Sequence, residues 1–505
     1  MADEQRKQLL EGNRRIVERI VVTGELVLET PAHFGGDDAL GFVDMALVRD
    51  PLHGDALLPG ASIAGALRTY LRTRLAGYGA DEPRGKHRDD DLALLFGYQH
   101  DDDGAQSSLL TADARSRFPA VELRDGVAIN PVTRTADDKK KFNLELLPAG
   151  VIFDLRLELL VRAADANKGA QDDQATRMVT AFAHALQGFE RGEIPLGARK
   201  RRGFGKCRVR SWQVRRYDLR QPPALLAWLS QDAHGAPTAQ GAGPSIAQLL
   251  GVADRAEPDK RAGFTLRATF GLESSLLIRA GGDEAGQPDM VHLTSPRNGK
   301  PEPILSGTSW AGALRSRALR IAQTVSARRR AVEYIADLFG PQMTNANVKP
   351  RASRLWVEES IIEQPAEPLI VQRVQIDRFT GGTLPGALFA EQPVFAAPQT
   401  EVRLEITVQA QRGSDAESQR RLEADAGLLL LLLKDLWVGD LPLGGEASVG
   451  RGRLQGKCAT LTLHKPESDD GPAWTLTRAD DRVAVAGDAA ELERMVKLFL
   501  EEVQA

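Results

Sequence analysis

The sequence is poor in the features that mark disulfide-rich, membrane and secreted proteins. Its 505 residues include two cysteines, Cys207 and Cys458, too few for a disulfide framework or a thiolate zinc site, and we expect both to be buried strand residues. The longest apolar run, the six leucines of 428–433, is far too short to cross a bilayer. The charged amino terminus lacks the apolar core of a signal peptide, so we expect a cytoplasmic protein with no membrane partner.

The chain also lacks a strong net charge and the motifs of common metabolic enzymes. Its formal charge of −4 argues against a protein that coats nucleic acid through bulk electrostatics. It has no P-loop, no dinucleotide-binding fingerprint and no cluster of metal ligands. Its cations are nevertheless concentrated, because 199–216 holds nine arginines and lysines and no acid. A solvated surface would explain this cluster, but the glycines beside it favour the approach of a phosphate.

What the sequence does contain is a repeat. The stretch LPGASIAGALR begins at Leu58, and LSGTSWAGALR begins 247 residues later (305 − 58) at Leu305. Four landmarks in one register indicate two homologous domains in tandem. The other three are PLG at 195 and 442, Gly-x-Gly at 203 and 450, and VAIN or VQID ending at 130 and 377. We place the first domain at 1–220, a linker at 221–260 and the second domain at 261–505.

Each repeat has the pattern of an α+β unit. An alternating strand pattern, over Arg19–Thr30 or Gly263–Leu272, precedes a Gly-rich loop and a small-residue turn. The turn leads into a helix over Ile63–Leu75 or Trp310–Ala322. A polar hairpin, a strand, a long helix and a last strand follow, which gives the ferredoxin-like order. The hairpins are predicted within 129–147 and 376–389, and an amphipathic helix over Asp488–Gln504 ends the chain, packed locally or against a neighbour.

In combination these motifs resemble a known family. Their order is a Gly-rich loop with an aspartate, the small-residue turn, Leu-Phe-Gly at 95–97 and 338–340, the hairpin and a second glycine loop. This order is similar to that of the RAMP superfamily and, within it, of the backbone subunits of type III CRISPR effector complexes. Two units in one chain look like the tandem fusions of subtype III-D-like systems. The resemblance implies two modified RNA-recognition domains, each with a thumb-like β-hairpin.

The resemblance also implies a function. Such subunits stack along a guide RNA beside other backbone, large and small subunits, and a complementary target RNA pairs with the guide. The thumb displaces a nucleotide, and a loop aspartate cuts the target beside it; the matching residues here are Asp44 and Asp289. Displacement brings the RNA 2′-hydroxyl into line with the leaving oxygen. One carboxylate then suffices, either to accept the proton or to hold Mg²⁺ or Mn²⁺.

Other residues enter through the same resemblance. His33 precedes the first Gly-Gly pair and is a candidate for contact with a phosphate or the 2′-hydroxyl, although a structural histidine fits equally well. Aligning the Gly-Gly pairs puts Arg279 at this position in the second repeat, and Phe204 is replaced by Arg451, so one repeat is expected to be the better nuclease. The predicted guide-binding residues are Ser62, Arg68, Arg201, Arg202, Gly203, Gly205, Lys206, Ser309, Arg315, Gly450, Arg451, Gly452 and Arg453.

Several alternatives remain open at this stage. Ser62 and Ser309 are also candidate helix N-caps, and Asp37, Asp38, Asp283 and Glu284 are expected to be turn formers rather than ligands. A catalytically inactive RNA-binding scaffold would explain every feature except Asp44 and Asp289. A guide-RNA-processing endoribonuclease would share the duplicated fold, but such enzymes usually use a histidine base and act alone.

Overall fold

The computed structural model describes residues 15–36, 43–79, 90–100, 103–116, 121–130, 133, 135–163, 174–230, 241–252, 259–281, 288–297, 299–343, 348–411, 416–466, 471–479 and 482–504. The four loop acids expected to be turn formers lie outside these residues; they are Asp37, Asp38, Asp283 and Glu284.

The elements of the first repeat and the segment after it come first in the chain. The strands are β1 (Ile16–Leu28), β2 (Ala56–Leu58), β3 (Tyr98–His100), β4 (Asp103–Ala105), β5 (Leu109–Thr111), β6 (Ala114–Ser116), β7 (Glu122–Ile129), β8 (Ala136–Leu146), β9 (Ile152–Arg162), β10 (Cys207–Asp218) and β11 (Gly241–Gly243). The helices are α1 (Gly60–Ala76), α2 (Asp91–Phe96), α3 (Gln174–Glu190), α4 (Pro222–Leu229) and α5 (Ile246–Leu250).

The second repeat continues the numbering. Its strands are β12 (Gly263–Leu272), β13 (Ser275–Leu276), β14 (Arg279–Gly281), β15 (Met290–His292), β16 (Thr294–Arg297), β17 (Lys300–Leu305), β18 (Leu355–Val357), β19 (Ser360–Glu363), β20 (Val371–Ile376), β21 (Thr383–Gln392), β22 (Val394–Phe395), β23 (Glu401–Gln409), β24 (Leu454–His464), β25 (Ala473–Ala479) and β26 (Arg482–Ala486). Its helices are α6 (Gly307–Val325), α7 (Arg328–Phe339), α8 (Ala416–Trp437) and α9 (Ala489–Gln504).

The core of each repeat is an antiparallel sheet with the ferredoxin-like strand order. In the first repeat the neighbours run β10–β1–β9–β5, so the four core strands, numbered along the chain, lie in the order 4-1-3-2. In the second repeat β24–β12–β23–β18 gives the same order. Two helices follow the first core strand of each repeat, and one long helix follows the third. The predicted α+β class and tandem ferredoxin-like order are therefore confirmed.

Alternation of apolar residues positions the first core. Along β9, every second side chain from Phe153 to Val161 is buried, as expected for a strand with one covered face. The covering helices contribute Leu67 from α1 and Phe182 from α3, both fully buried. Burial of these side chains fixes the sheet register, because a slip of one residue would turn the apolar face of β9 to solvent.

The six-leucine run belongs to the core of the second repeat. It lies in α8, where Leu428, Leu429, Leu432 and Leu433 are buried. The carboxy-terminal helix α9 packs locally along α8. A Cβ on Gly427 of α8 would lie 2.1 Å from the Met495 carbonyl oxygen, so only glycine permits this close approach. No helix in the described part of the chain is long and apolar enough to cross a bilayer.

Both repeated helices begin earlier than the sequence pattern predicts. α1 has Pro59 as its N-cap, and α6 has Ser306, whose Oγ accepts a hydrogen bond from the Ser309 amide at 3.2 Å. The N-cap alternative for Ser62 and Ser309 is therefore wrong, since both lie in the first helical turn. Pro at a helix start sacrifices no hydrogen bond and Ser satisfies one, which explains these boundaries. The two Leu-Phe-Gly motifs do end helices, at Gly97 and Gly340.

The segment predicted as a linker packs largely on the first repeat where it is described. Strand β11 pairs with the edge strand β10, and α5 buries Ile246 and Leu250 in the first core. The two cysteines differ from each other. Cys207 is buried as expected and Cys458 is exposed, which corrects the prediction for the second cysteine. Leu454 of β24 occupies the place of Cys207. Between Leu454 and Cys458 the pairing of β24 with β12 is irregular, and this shift of register turns the Cys458 side chain outward.

The two repeats meet through a buried cluster of charges. Arg124 on β7 pairs with Glu122 of its own strand and with Glu359 of the second repeat. Arg297 joins Glu359 at 2.7 Å, and Ser295 Oγ donates to Glu122 Oε2 at 3.0 Å. Burial raises the pKa of Glu122 although Arg124 opposes the shift. Because a desolvated charge is costly without a partner, we expect the contact between the repeats to depend on this cluster staying complete.

Acid is expected to weaken the second repeat through His292. Its Nε2–H donates to the Ile304 carbonyl at 2.9 Å, and burial lowers the pKa of His292 to about 4. The unfolded imidazole titrates near its ordinary value of 6.5, so the stability contributed by neutral His292 is full above that value. It should be lost as pH falls from about 6.5 to about 4, up to about 3 kcal/mol. Urea unfolding at several pH values checks this, with His292→Asn as the variant that should flatten the slope.

Candidate nucleic-acid interface and cleavage sites

Asp44 is an exposed carboxylate held at the base of the first hairpin. Its backbone amide donates to Asn143 Oδ1 at 2.7 Å, and the Asn143 amide donates to Asp44 Oδ2 at 2.9 Å. Next to it, Met45 pairs in parallel with Leu144 of β8. Glu145 secures the same loop, since its Oε2 accepts from the Leu47 amide at 3.0 Å. The hairpin β7–β8 therefore fixes the position of Asp44.

Asp289 has the corresponding place in the second repeat. It is exposed, and its Oδ2 accepts a hydrogen bond from the Ala390 amide of β21 at 2.7 Å. Ala390 lies 247 residues after Asn143 (390 − 143), in register with the repeat. Met290 pairs in parallel with Glu391, as Met45 does with Leu144. The structure thus places both predicted aspartates at the base of a hairpin. In both, Oδ2 accepts a hydrogen bond from the backbone amide of the same hairpin position, Asn143 or Ala390.

Each aspartate is a single carboxylate rather than part of a ligand cluster. Among the described residues, no three His, Cys, Asp or Glu side chains are grouped closely enough to hold a metal ion. Mg²⁺ is often bound through one or two carboxylates, with waters and substrate phosphates as its other ligands. An exposed Asp44 or Asp289 fits that mode, in which RNA would complete the site.

His33 is buried beneath the first loop and does not face the solvent. Its side chain is 2% exposed, and Nδ1 lies 2.8 Å from the Glu145 carbonyl oxygen. Since a carbonyl can only accept, Nδ1 carries a proton and donates it to Glu145. The backbone carbonyl of His33 also accepts from Ala198 at 2.9 Å. Of the two alternatives, this environment favours the structural histidine.

The residue equivalent to His33 is Leu277 rather than Arg279. Ala198 donates its amide to the His33 carbonyl, and Gly445, 247 residues later (445 − 198), donates to the Leu277 carbonyl at 2.9 Å. The strand β12 matches β1 at an offset of 244, as Leu28 pairs with Cys207 and Leu272 with Leu454. The Gly-Gly alignment is therefore wrong by two residues. The loop that contains the Gly-Gly pair differs in length between the two repeats. Matching the glycines therefore does not give the correct alignment of the residues before them.

The first glycine loop brings cations from both repeats together. Arg202 lies beside Arg315 of α6, and burial, together with Arg315 and Arg201, lowers the pKa of Arg202 to about 10. Burial lowers the pKa of Arg201 and of Arg315 in the same direction. The Arg201 guanidinium lies 5.4 Å from the Trp356 ring, and Arg202 donates to the Leu355 carbonyl at 3.5 Å. We call Arg201, Arg202 and Arg315 the junction cations; no ion pair joins them to a carboxylate among the described residues.

The glycines of the loops serve the protein rather than a ligand. Gly205 donates its amide to the Pro31 carbonyl at 2.9 Å, and Gly452 donates to Ser275 at 2.7 Å. A Cβ on Gly203 would lie 2.4 Å from the Glu359 amide nitrogen, so Gly203 permits contact between the repeats. The expectation that these amides face RNA phosphates is not met at Gly205 and Gly452, because both are already hydrogen-bonded.

The remaining predicted guide-binding residues are distributed over both repeats. Ser62 is exposed and Arg68 half-buried on α1, and Lys206 is half-buried at the end of the first loop. Ser309 is half-buried on α6, and its hydroxyl lies 2.9 Å from Ser306 Oγ.

The two arginines of the second glycine loop both contact protein. Arg453 is exposed after Gly450 and Gly452 and donates to the Gly439 carbonyl at 3.2 Å. Arg451 is buried and pairs with Glu391 and Glu446, so its guanidinium contacts protein.

The hairpins present apolar side chains to solvent. On β7, Leu123, Val127 and Ile129 are exposed, and at the tip of the second hairpin Phe379 is fully exposed. The Asp377 side chain accepts from the Phe379 amide at 2.8 Å, which shapes the tip. Sequence reasoning missed these residues, and Leu123 and Val127 lie before the predicted first hairpin of 129–147. The apolar residues at 123, 127 and 129, all on one face of an extended strand, were a visible signal. Exposed apolar side chains grouped on a hairpin are typical of a binding surface.

Two segments of the chain match one protein-family description. The RAMP superfamily model matches residues 25–208 and 269–455, which together cover more than half of the chain. The chain belongs to the RAMP superfamily. Each matched segment runs from the first core strand of a repeat to its last, so the two RAMP units coincide with the two ferredoxin-like sheets.

Two characterised proteins are similar to this RAMP chain. The CRISPR system Cms endoribonuclease Csm3 of Streptococcus thermophilus is 25% identical over 199 residues, covering 37% of this chain and 86% of the relative. The protein of the same name from Mycobacterium tuberculosis (strain ATCC 25618 / H37Rv) is 26% identical over 215 residues, covering 39% and 89%. Most of a relative thus matches little more than a third of this chain. The predicted tandem fusion of RAMP backbone subunits related to type III CRISPR proteins is confirmed.

Proposed function

We propose that this chain is a double backbone subunit that binds guide RNA and cleaves the paired target RNA at Asp44 and Asp289. The observation that carries the proposal is the position of both aspartates, each exposed and hydrogen-bonded to the root of a hairpin. If the hairpin crosses the RNA duplex and displaces a nucleotide, a carboxylate fixed at its base would lie beside the displaced nucleotide. Mapping the target cuts made by the assembled complex with variants of Asp44 and Asp289 tests the assignment.

The apolar hairpin faces support the nucleotide-displacing role. Side chains such as Leu123 and Ile129, or the fully exposed Phe379, would contact nucleobases rather than phosphates. An aromatic ring can stack on any base, whatever the sequence, which suits a subunit that reads a guide by position. A base pushed out of the duplex leaves its 2′-hydroxyl free to reach an in-line geometry.

Asp44 would act as the base in this reaction. Its Oδ2 is occupied by the Asn143 amide, which leaves Oδ1 to accept the 2′-hydroxyl proton. Mg²⁺ or Mn²⁺, if bound through the same carboxylate, would stabilise negative charge on the scissile phosphate. The buried His33 does not present a base, which supports target cleavage over the guide-processing alternative.

The junction cations are proposed to bind the guide backbone. They come from both repeats and are partly desolvated. Charge-assisted hydrogen bonds from these guanidiniums to a phosphate would therefore be strong. Arg201→Ala with Arg202→Ala should weaken guide retention by about 10-fold or more and reduce the salt dependence of binding by about two charges. Fluorescence anisotropy with labelled guide RNA at several salt concentrations measures both quantities.

A matched control removes two cations elsewhere. Arg420 pairs with Glu501 and Glu502, and Arg494 pairs with Glu423, so their charges are already neutralised by protein. The double variant Arg420→Ala with Arg494→Ala should leave guide affinity and its salt dependence unchanged. Equal losses in the two double variants would mean that only net charge matters and would remove the junction cations from the guide-binding surface.

A further inference from the structure

One position carries opposite charges in the two repeats. Arg199 and Glu446 are 247 residues apart (446 − 199), and each precedes a short 3₁₀ turn. Both adopt the left-handed conformation, with φ 55° and ψ 28° at Arg199 and φ 61° and ψ 32° at Glu446. Few residues other than glycine adopt this conformation, so the shared backbone establishes that the two positions are equivalent.

Arg199 lies beside the Asp44 loop. Its guanidinium is 4.6 Å from the Phe142 ring and its Nη2 is 4.0 Å from Met45 Sδ. These two neighbours flank the pair that forms the site, because Met45 follows Asp44 and Phe142 precedes Asn143. Burial lowers the pKa of Arg199, and no carboxylate among the described residues pairs with it. Within the described part of the chain, a half-buried cation that pairs with no carboxylate therefore lies next to the Asp44–Asn143 pair.

The second repeat has the same Met and Phe neighbours around its aspartate, but an acid, Glu446, stands in place of Arg199. Met290 follows Asp289, and Phe389 precedes Ala390, as in the first repeat. Glu446 sits in the place of Arg199 and pairs with Arg373 at 3.2 Å and with Arg279 at 3.3 Å. The turn that follows also changes, from Lys200–Arg202 to Ala447–Val449.

The ion pairs around Glu446 continue to a second, buried carboxylate, Glu391. Arg451 pairs with Glu446 at 3.3 Å and with the fully buried Glu391, which also pairs with Arg373. Arg279, Arg373 and Arg451 thus already have protein carboxylates as partners. A phosphate would have to displace those carboxylates before it could bind.

We propose that Arg199 binds a non-bridging oxygen of the scissile target phosphate, and that the Asp289 site, where Glu446 stands in place of Arg199, cuts more slowly. The inference rests on the proposed function. In the reaction the 2′-oxygen forms a bond to phosphorus as Asp44 accepts its proton. The bond from phosphorus to the 5′-oxygen breaks, and the leaving oxygen takes a proton from water. The products are a 2′,3′-cyclic phosphate and a 5′-hydroxyl, and Arg199 neutralises charge that grows on the phosphate.

The test compares Arg199→Gln and Arg199→Lys in the complex assembled with guide RNA, under single-turnover conditions. Gln should slow the Asp44-dependent cut about 10²-fold, and Lys should restore most of the rate. The Asp289-dependent cut, slower at the start, should not change in either variant. Guide retention and the thermal midpoint serve as checks on assembly, and Lys and Gln meet the same backbone requirement at this position.

Sulfur substitution separates phosphate contact from a structural role. A target with a phosphorothioate at the scissile linkage should slow the wild-type cut, and should add little to the effect of Arg199→Gln. Full additivity of the two changes, equal slowing of both cuts, or an unchanged rate in Arg199→Gln would each overturn the inference. If Asp44→Asn leaves every cut intact, the proposed function fails; if it removes a cut that Arg199→Gln does not slow, only the inference about Arg199 fails.

Discussion

Replacing Asp44 with asparagine is expected to remove one cut in the target RNA while the guide RNA stays bound. Asparagine keeps an oxygen that can accept the hydrogen bond from the Asn143 amide, so the loop should hold its position. What is lost is the negative charge that accepts a proton or holds a metal ion. Loss of a general base typically costs 10²- to 10⁴-fold, and we expect about 10³-fold here.

Cleavage mapping with end-labelled target RNA measures this effect in Mg²⁺, in Mn²⁺ and with EDTA. Asp289→Asn should remove a second, separate cut, and the double variant should remove both. Asn143→Ala is the matched control, because it removes one hydrogen bond to the Asp44 backbone and leaves the carboxylate in place. A complex that keeps all cuts in the double variant would be a scaffold, with cleavage in neighbouring subunits.

Loss of Arg124 is expected to separate the two repeats. Burial alone would lower the pKa of Arg124, but Glu359 and Glu122 beside it raise that pKa above its ordinary value. Arg124→Ala would leave two buried carboxylates without their main partner, a change that typically costs about 3–5 kcal/mol. The loss should appear as an earlier transition in urea unfolding and as increased protease cleavage between the repeats.

Two comparison variants make the cause visible. Arg267→Ala removes an exposed cation that pairs with Glu405 at 2.7 Å, and such surface pairs contribute about 1 kcal/mol or less. Replacing Arg124 and Arg297 with Met together with Glu122→Gln and Glu359→Gln removes every charge of the cluster at once and should cost less than Arg124→Ala alone. If Arg124→Ala is no worse than Arg267→Ala, the charge cluster does not hold the repeats together.

Much of the architecture follows from periodicity that is visible in the sequence. The 247-residue spacing predicted two units, and the strand and helix patterns predicted the ferredoxin-like order of elements, which in both repeats forms a sheet with strand order 4-1-3-2. These patterns also predicted hairpins before the third core strand, whereas the aspartates Asp44 and Asp289 came from the resemblance to the RAMP superfamily. These features depend on local patterns of apolar and small residues, which the chain carries whatever its tertiary contacts.

Register failed where the two loops differ in length. The Gly-Gly pairs suggested Arg279 as the counterpart of His33, whereas hydrogen bonds to Ala198 and Gly445 identify Leu277. Arg451 was expected to contact RNA and instead pairs with Glu391 across the base of a hairpin. In each case the deciding contact joins residues far apart in the chain, which no short sequence pattern records.

The sequence by itself determined that two RAMP domains of one design stand in tandem, because repeated spacing and alternating burial are local properties of the chain. Only the tertiary structure decided which charges are free. Among the residues that the structure describes, Arg199 beside Asp44 pairs with no carboxylate, whereas Glu446 beside Asp289 is held in ion pairs. The reason is physical, since the availability of a charged group depends on the partners and the solvent around it in space.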